Sequence, residues 1–160
     1  MTDHITWLSQ AAYDRLALEL SEREGRIRVE ITEKISEARA EGDLKENGGY
    51  HAAREEQGHN EGRIAHLKHL LEHSRIGKPE VEDGEAHIGR VVVLEFAPGD
   101  QETYFIGASE EAGLVDFEIL SPSAPLGEAL IGHRVGDDVA YKLPNGREVT
   151  VTLVDVQQLH

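Results

Sequence analysis

Two acidic residues in a short polar segment have the spacing of a metal-binding pair. Asp43 and Glu46 lie three positions apart in the segment GDLKEN, just before a pair of glycines. In a helical turn such side chains share one face, with Cβ atoms about 5–6 Å apart. Mg²⁺ prefers six oxygen ligands and usually takes only one or two carboxylates, so the pair would complete a site whose other ligands come from elsewhere. A second metal ion beside a bound one activates water to cut a phosphodiester.

A simple solvated turn explains the same residues. Asp, Asn, Lys, Glu and Gly are the residue types that turns use. On spacing alone this explanation is the commoner one, so the elements that place the pair must decide between the two.

Two amphipathic helices flank the segment. Apolar residues recur at helical spacing before it, which predicts a first helix from about residue 10 to 41, capped by Ser9 and weakened at Gly25. A heptad pattern follows it. The two seams consist of Leu16, Leu20, Ile27, Ile31, Ile35 and Ala38 in the first helix, and of Tyr50, Ala53, Gln57, Asn60, Ile64, Leu67 and Leu71 in the second. Joined by a short turn, the helices form an antiparallel coiled-coil hairpin.

Two features of the second helix bear on how the arms meet. Gln57 and Asn60 are polar seam residues, which weaken a coiled coil but fix its register. Gly58 and Gly62 are predicted to let the two backbones approach closely.

The second half of the chain has the pattern of a sheet. Residues 77–87 lack periodicity, contain Pro and Gly, and are predicted to be a linker. Strands are predicted at 88–96, 102–108, 114–120, 138–143 and 147–156, with a short helix at 125–131. The fold class is α+β, with a hairpin over 1–76, its acidic tip at 42–48, and a small, mostly antiparallel sheet domain over 88–160.

Composition excludes several classes of protein. The 160 residues include no cysteine, no apolar run long enough to span a membrane and no signal peptide, so a cytoplasmic location is expected. The net charge is −15, with 15 acids and 11 bases (−4) in residues 1–75 and 16 acids and 5 bases (−11) in residues 76–160. Such a chain should repel free nucleic acid unless it segregates its charge, and it does so in part, since the first half is nearly balanced and carries most of the arginines. A basic partner surface suits the acidic second half, although acidity alone often serves only solubility.

The segment EARAEGDLKENGGYHAAREEQGHNEGRI (37–64) resembles the tip of the bacterial Gre-type transcript cleavage factors, most closely the GreA group. The stretches TWLSQAAYDRL, SPSAPLGEALIGHRVGDDV and LPNGREVTVTLVDV resemble the same family, so the likeness covers essentially the whole chain. It implies a coiled coil followed by an FKBP-like domain. The SPSAPLGEALIG segment is a candidate docking loop, with plain helix-and-turn structure as the alternative.

The resemblance also implies a function. Such a protein binds RNA polymerase through the secondary channel and stimulates cleavage of the 3′ end of backtracked nascent RNA. Asp43 and Glu46 would be the tip acids that share a Mg²⁺ with polymerase, so the protein would be an accessory factor without a complete active site. Arg28, Arg39, Lys45, Asn47 and Arg54 are candidate contacts with RNA or polymerase. For Arg39 and Arg54 the alternative is surface solubility and ion pairing within the helices. A monomer is expected, because the hairpin must fit a channel.

The first helix departs from the family pattern in one place. Its middle reads SEREGRIRVE, with Arg23, Arg26 and Arg28 interleaved with acids and without the family's proline. This weakens the expectation that a basic patch there binds extruded RNA.

Other functions are compatible with the same sequence. A channel-occupying inhibitor of polymerase would have the same shape. A chaperone or prolyl isomerase with a coiled-coil arm would need an aromatic cleft, whereas the sheet domain's aromatics are expected to fill its core. These are Phe96, Tyr104, Phe105, Phe117 and Tyr141. His59, His66, His69 and His73 have helical spacing for a zinc site, although a solvated face is the simpler explanation.

Overall fold

The computed structural model describes residues 5–42 and 46–159. Two compact units are formed, one by the described parts of Met1–Ala12 and Ser74–His160 and the other by those of Tyr13–His73. We call them the sheet unit and the hairpin unit. The structure confirms the predicted α+β class, with helical arms followed by a five-stranded sheet and a short helix.

Helix α1 spans Gln10–Glu22, α2 spans Arg28–Ala40 and α3 spans Gly48–Glu72. The first arm was predicted as one continuous helix, but a π-helical turn at Arg23–Ile27 separates α1 from α2. Gly25, predicted as a weak point, lies within this turn. Its backbone freedom lowers the cost of departing from α-helical geometry.

The apolar seam holds the arms of the hairpin unit together. Ile31 and Ile35 of α2 pack with Ala53 of α3, and all three are at most 7% exposed. Ile27 and Tyr50 pack against this cluster. The predicted close approach at Gly58 and Gly62 is wrong, because both glycines are exposed and an added Cβ would meet nothing within 4 Å.

A five-stranded sheet forms the core of the sheet unit. Its strands are β3 (Arg90–Ala97), β4 (Asp100–Ile106), β5 (Glu118–Leu120), β6 (Asp138–Lys142) and β7 (Glu148–Gln158), in the order β5-β4-β3-β7-β6. Only the β4–β5 pairing in it is parallel. Helix α4, Pro125–Leu130, contributes Leu130 to the core alongside Leu94 and Leu153.

A short parallel ribbon also belongs to the sheet unit. Strand β1 (Thr6–Leu8) pairs with β2 (Ser74–Ile76), an arrangement that no pattern in the sequence predicts. Trp7 lies in β1 and therefore belongs to the sheet unit. Residues 77–87 contain no named strand or helix, but Ala86 is fully buried in the core and the Arg90 guanidinium donates to the carbonyls of Val81 and Glu82. The domain boundaries predicted from sequence stay a prediction.

Within the described ranges 5–42 and 46–159, no helix is long and apolar enough to cross a membrane.

Candidate functional site

The acidic tip occupies the turn between α2 and α3. Asp43 and Lys45, together with Leu44, lie outside the described residues. Glu46 is described and exposed, and no hydrogen bond or ion pair joins its carboxylate to another residue in the described part of the chain. The structure therefore leaves one of the two predicted carboxylates available to solvent at the turn.

Gly42 ends the first arm in a conformation that other residues rarely adopt. Its φ is +114°, and its N–H approaches the Arg39 carbonyl at 3.4 Å, while the Glu41 N–H donates to the Ala38 carbonyl at 3.2 Å. A glycine with positive φ just after a helix is a common C-terminal cap, because it satisfies carbonyls that the helix leaves unpaired. Gly42 thus stops α2 shortly before the acidic segment.

We expect Gly42→Ala to lower the free energy of unfolding of the hairpin by about 1–2 kcal/mol, because a Cβ disfavours positive φ. Gly48→Ala is the matched control. Gly48 has no positive φ and open space around its Cβ position, so alanine should leave stability unchanged or slightly raise it. Urea unfolding of both variants checks this expectation, and equal effects would contradict it.

Asn47 begins the second arm and ties it to the first. Its Oδ1 accepts from the Tyr50 N–H at 3.0 Å, which caps α3, and its Nδ2 donates to the Ala38 carbonyl at 2.6 Å. One carboxamide thus satisfies a free N–H at the start of α3 and a carbonyl near the end of α2. The Gly49 backbone lies close to the Asn47 side chain, because a Cβ at position 49 would be 3.4 Å from Asn47 Oδ1. Asn47 was predicted to contact polymerase or RNA; the structure gives it a role within the hairpin.

Three arginines predicted as partner contacts already have partners inside the hairpin. Arg28 makes two hydrogen bonds, of 3.1 and 2.7 Å, to the Glu61 carboxylate, and this pairing raises the pKa of Arg28 and lowers that of Glu61. The Arg54 Nη1 donates to Gln57 Oε1 at 2.7 Å, and the Arg39 guanidinium lies 5.8 Å from the Tyr50 ring centre. The Glu61 carboxylate neutralises the charge of Arg28, whereas Gln57 and Tyr50 are neutral and leave Arg54 and Arg39 positively charged.

Glu19 binds two arginines, one on its own arm and one on the other arm. Its carboxylate accepts two hydrogen bonds of 2.9 Å from Arg63 on α3 and one of 2.7 Å from Arg23. The Arg63 hydrogen bonds, with a smaller contribution from Arg23, lower the pKa of Glu19 from 4.5 to about 2, against the opposing effect of burial. The ionised form of Glu19 therefore stabilises the hairpin.

The stabilisation by Glu19 should depend on pH. Its folded pKa lies below the unfolded value, so the contribution is complete above about pH 4.5 and is lost as the pH falls towards 2. We expect Glu19→Gln to cost about 1–2 kcal/mol at pH 7, less than the full shift implies because the carboxylate is partly exposed. Urea unfolding from pH 7 to pH 2 should show this difference vanish. Glu22→Gln, an exposed acid on the same helix, is the control; an unchanged cost for Glu19→Gln at low pH would contradict the assignment.

The histidines of the second arm lie mostly at its surface. His59, His66 and His69 are exposed, whereas the seam position Leu67 is fully buried. The ring centres of His69 and His73 lie 4.1 Å apart, and the Nδ1 of His73 is 2.8 Å from the His69 carbonyl oxygen. No group of three or more His, Asp or Glu suited to a metal ion occurs among the residues that the structure describes.

The sheet unit contains a pocket of about 370 Å³ with a mainly apolar lining. Trp7 and Phe105 are its aromatic lining residues. Phe105 is also buried, at 6% exposed, and Phe96, Tyr104 and Tyr141 pack against the core, as predicted. Glu111, 3% exposed, also lines the pocket, and its Oε1 accepts from the N–H and hydroxyl of Ser9. Ser9 in turn caps α1 through the Ala12 N–H at 3.1 Å, as predicted, so the buried acid supports a helix start.

The candidate docking loop contains a close backbone approach. A Cβ at Gly127 would lie 2.0 Å from the Ser121 carbonyl oxygen. The Ser123 N–H also donates to the Ser121 hydroxyl at 3.2 Å. These contacts give the segment a structural role, and its docking role stays a prediction.

Two family models match the chain, one for each half. The model described as "Transcription elongation factor, N-terminal" matches residues 6–76, and the one described as "Transcription elongation factor, GreA/GreB, C-term" matches residues 81–158. Transcription elongation factor GreA of Streptomyces coelicolor is 45% identical over 157 residues, 98% of this chain and 95% of that protein. The protein of the same name from Saccharopolyspora erythraea is 48% identical over 154 residues, which is 96% of this chain and 94% of that protein. The solved transcription factor Gfh1 is 28% identical, with a TM-score of 0.46 over 97% of this chain and 99% of that one.

The two matched regions identify the class of protein, which is that of transcription elongation factors. The chain belongs to the GreA/GreB family, which confirms the resemblance found in the sequence.

Proposed function

We propose that this protein stimulates RNA polymerase to cleave the 3′ end of backtracked nascent RNA. The observation that carries the proposal is the exposed carboxylate of Glu46, which has no hydrogen-bond or ion-pair partner among the described residues, between the two arms of a helical hairpin in a chain of this family. A hairpin of two helices is about 20 Å across, so it could enter a narrow channel such as the secondary channel of polymerase. Asp43, three positions before Glu46, would supply the second carboxylate.

The donor set at the turn fits a shared magnesium ion. Glu46 offers carboxylate oxygens to solvent, and Mg²⁺ usually takes one or two carboxylates beside water and phosphate oxygens. Asp43 and Glu46 would hold the ion together with polymerase. When bound, Mg²⁺ activates water and stabilises charge at the phosphodiester being cut. The chain's own part is to bring the two carboxylates into place and to orient water by accepting its hydrogen bonds. This makes the protein an accessory factor, since the active site belongs to polymerase.

The contacts at the facing ends of the two arms support this role. Gly42 ends α2, Asn47 begins α3 and bonds back to α2, and Glu46 lies between these two residues. A carboxylate that must complete a metal site has to be held in place, because an error of about 1 Å can cost 10²-fold in rate. Contacts of Arg28, Arg39, Lys45 and Arg54 with RNA or polymerase remain part of the proposal as secondary interactions.

The test uses stalled, backtracked polymerase complexes with RNA labelled at either end. Adding the protein with Mg²⁺ should release short 3′ fragments and leave a shortened RNA that polymerase can extend. Omitting Mg²⁺ should abolish the release. Slower elongation without any 3′ fragments would contradict the proposal and favour a channel-occupying inhibitor. Prolyl isomerisation without polymerase binding would favour the isomerase alternative.

A further inference from the structure

The π-helical turn at Arg23–Ile27 lies opposite a buried polar residue of the other arm. Asn60 on α3 is 3% exposed, although it occupies a seam position that an apolar residue would normally fill. Its Nδ2 donates to the Arg23 carbonyl at 3.2 Å, and its Oδ1 accepts from the Arg23 Nη1 at 3.1 Å. A π turn bonds i to i+5 and so disturbs the usual pairing of helix carbonyls. Asn60 supplies a donor at this disturbed position.

Gln57, the other polar seam residue, forms its hydrogen bond within its own helix. It is half-buried, and its Oε1 accepts from Arg54 of the same helix. Asn60 therefore bonds to the first arm, and no such cross-arm bond is described for Gln57. Salt bridges of Glu19 with Arg23 and Arg63 surround the Asn60 contact and hold Arg23 in position.

A second polar contact joins the arms near the turn, where Asn47 donates to the Ala38 carbonyl. Between the two contacts the first arm runs from 23 to 38, a step of 15 residues, and the second from 47 to 60, a step of 13. The first arm is therefore two residues longer over the same stretch, about 3 Å of helix rise. A π turn places an extra residue within one turn, so it absorbs part of this difference.

We infer that Asn60 and the π turn form a register lock that sets where the hairpin presents its tip carboxylates. The importance of where these carboxylates lie rests on the proposed function. A slip by one helical turn would move one arm past the other by about 5.4 Å and would displace Glu46. Asn60 is then a positioning residue, because it acts on the reaction through the geometry of the turn. A buried asparagine at a seam commonly specifies register at some cost in stability.

Distances between the arms test the lock directly. The chain has no cysteine, so Ser36→Cys and Glu55→Cys, both at exposed positions, accept spin labels specifically. Double electron–electron resonance should give one narrow distance in the otherwise unchanged chain. Asn60→Leu should broaden the distribution or add a second distance, while keeping helical content and thermal stability. Gln57→Leu, the matched seam control, should retain the single distance.

Two outcomes would overturn the inference. One is a single, unchanged distance in Asn60→Leu, and the other is equal broadening in Gln57→Leu. Asn60→Ala serves as the second variant if Asn60→Leu fails to fold, because it removes the same hydrogen bonds without adding bulk.

Cleavage kinetics separate the lock from the proposed function. Asn60→Leu should lower the maximal cleavage rate by about 10-fold or more, because the carboxylates are misplaced. The protein concentration for half-maximal cleavage should stay the same, whereas a loss of folded protein would raise it. Normal cleavage by Asn60→Leu despite two distances would overturn the positioning role. If the unchanged chain gives no cleavage while Asn60→Leu still broadens or splits the distance, the proposed function fails and the register lock stands.

Discussion

Replacing Asp43 with Asn and Glu46 with Gln together should lower RNA cleavage by polymerase by about 10²-fold or more, with binding to polymerase little changed. The amides keep the size of the side chains but remove the negative charge that Mg²⁺ requires of its carboxylate ligands. Loss of one preorganised electrostatic contact commonly costs 10²–10³-fold in rate. Single-turnover cleavage of backtracked complexes measures the rate, and competition with a labelled parent protein measures binding.

Glu41→Gln is the matched control for this pair. Glu41 is exposed and lies at the end of α2, two positions before Asp43, so its replacement removes a charge from the same region but not from the pair. Cleavage by this variant should resemble that of the parent. A double variant that cuts as well as the parent would refute the assignment of the tip acids. A double variant that loses binding as well would show that these residues anchor the protein instead.

The second large effect is expected at Asn47. Asn47→Ala removes both the cap of α3 and the bond to the Ala38 carbonyl, which should cost the hairpin about 1–3 kcal/mol. Amide hydrogen exchange in the first turn of α3 should rise accordingly. Cleavage should also fall, because Glu46 precedes the lost cap directly.

Asn47→Asp separates the two bonds. Aspartate can still cap α3 through its carboxylate, but it cannot donate to the Ala38 carbonyl. Its stability should therefore fall between those of the parent and of Asn47→Ala. If Asn47→Ala is as stable as the parent but binds polymerase more weakly, Asn47 is a partner contact, as the sequence analysis expected, and not a structural cap.

The sequence was most informative where periodicity reports burial. The spacing of Ile31, Ile35 and Ala38 predicted a buried seam, and all three residues are buried. The alternation of apolar residues likewise predicted the five strands of the main sheet. The predicted and observed strand ends differ by a few residues, and the difference is largest at the start of β5. These patterns are local and follow directly from the geometry of helix and strand.

Features that depend on a partner elsewhere in the chain were missed. The parallel pairing of Thr6–Leu8 with Ser74–Ile76 joins two three-residue segments, which are too short to show a pattern. The π turn produced only one signal, the unfavourable Gly25, because its stabilising partner lies on the other arm. Gly58 and Gly62 suggested a close approach by their spacing, yet they lie at the surface. Spacing alone does not report which face of a helix meets its neighbour.

The candidate site was predictable mainly through resemblance. Acidic residues in a turn are common, so spacing by itself favoured a solvated turn over a metal site. The structure adds that Glu46 is exposed and that Gly42 and Asn47 hold the ends of the arms. It also shows that Arg28, Arg39 and Arg54 interact within the hairpin, which their charge alone did not indicate.

Photocrosslinking from the turn of the hairpin tests the central claim most directly. Gly48 is exposed, with open space around its Cβ position, so Gly48→Cys can carry a photoreactive group beside the tip acids. His69→Cys carries the same group at an exposed position near the other end of α3. In backtracked complexes we expect position 48, and not position 69, to crosslink to the RNA 3′ end and to the catalytic centre of polymerase. Crosslinks from position 48 only to the outer surface of polymerase would contradict the delivery of these carboxylates to another protein's active site.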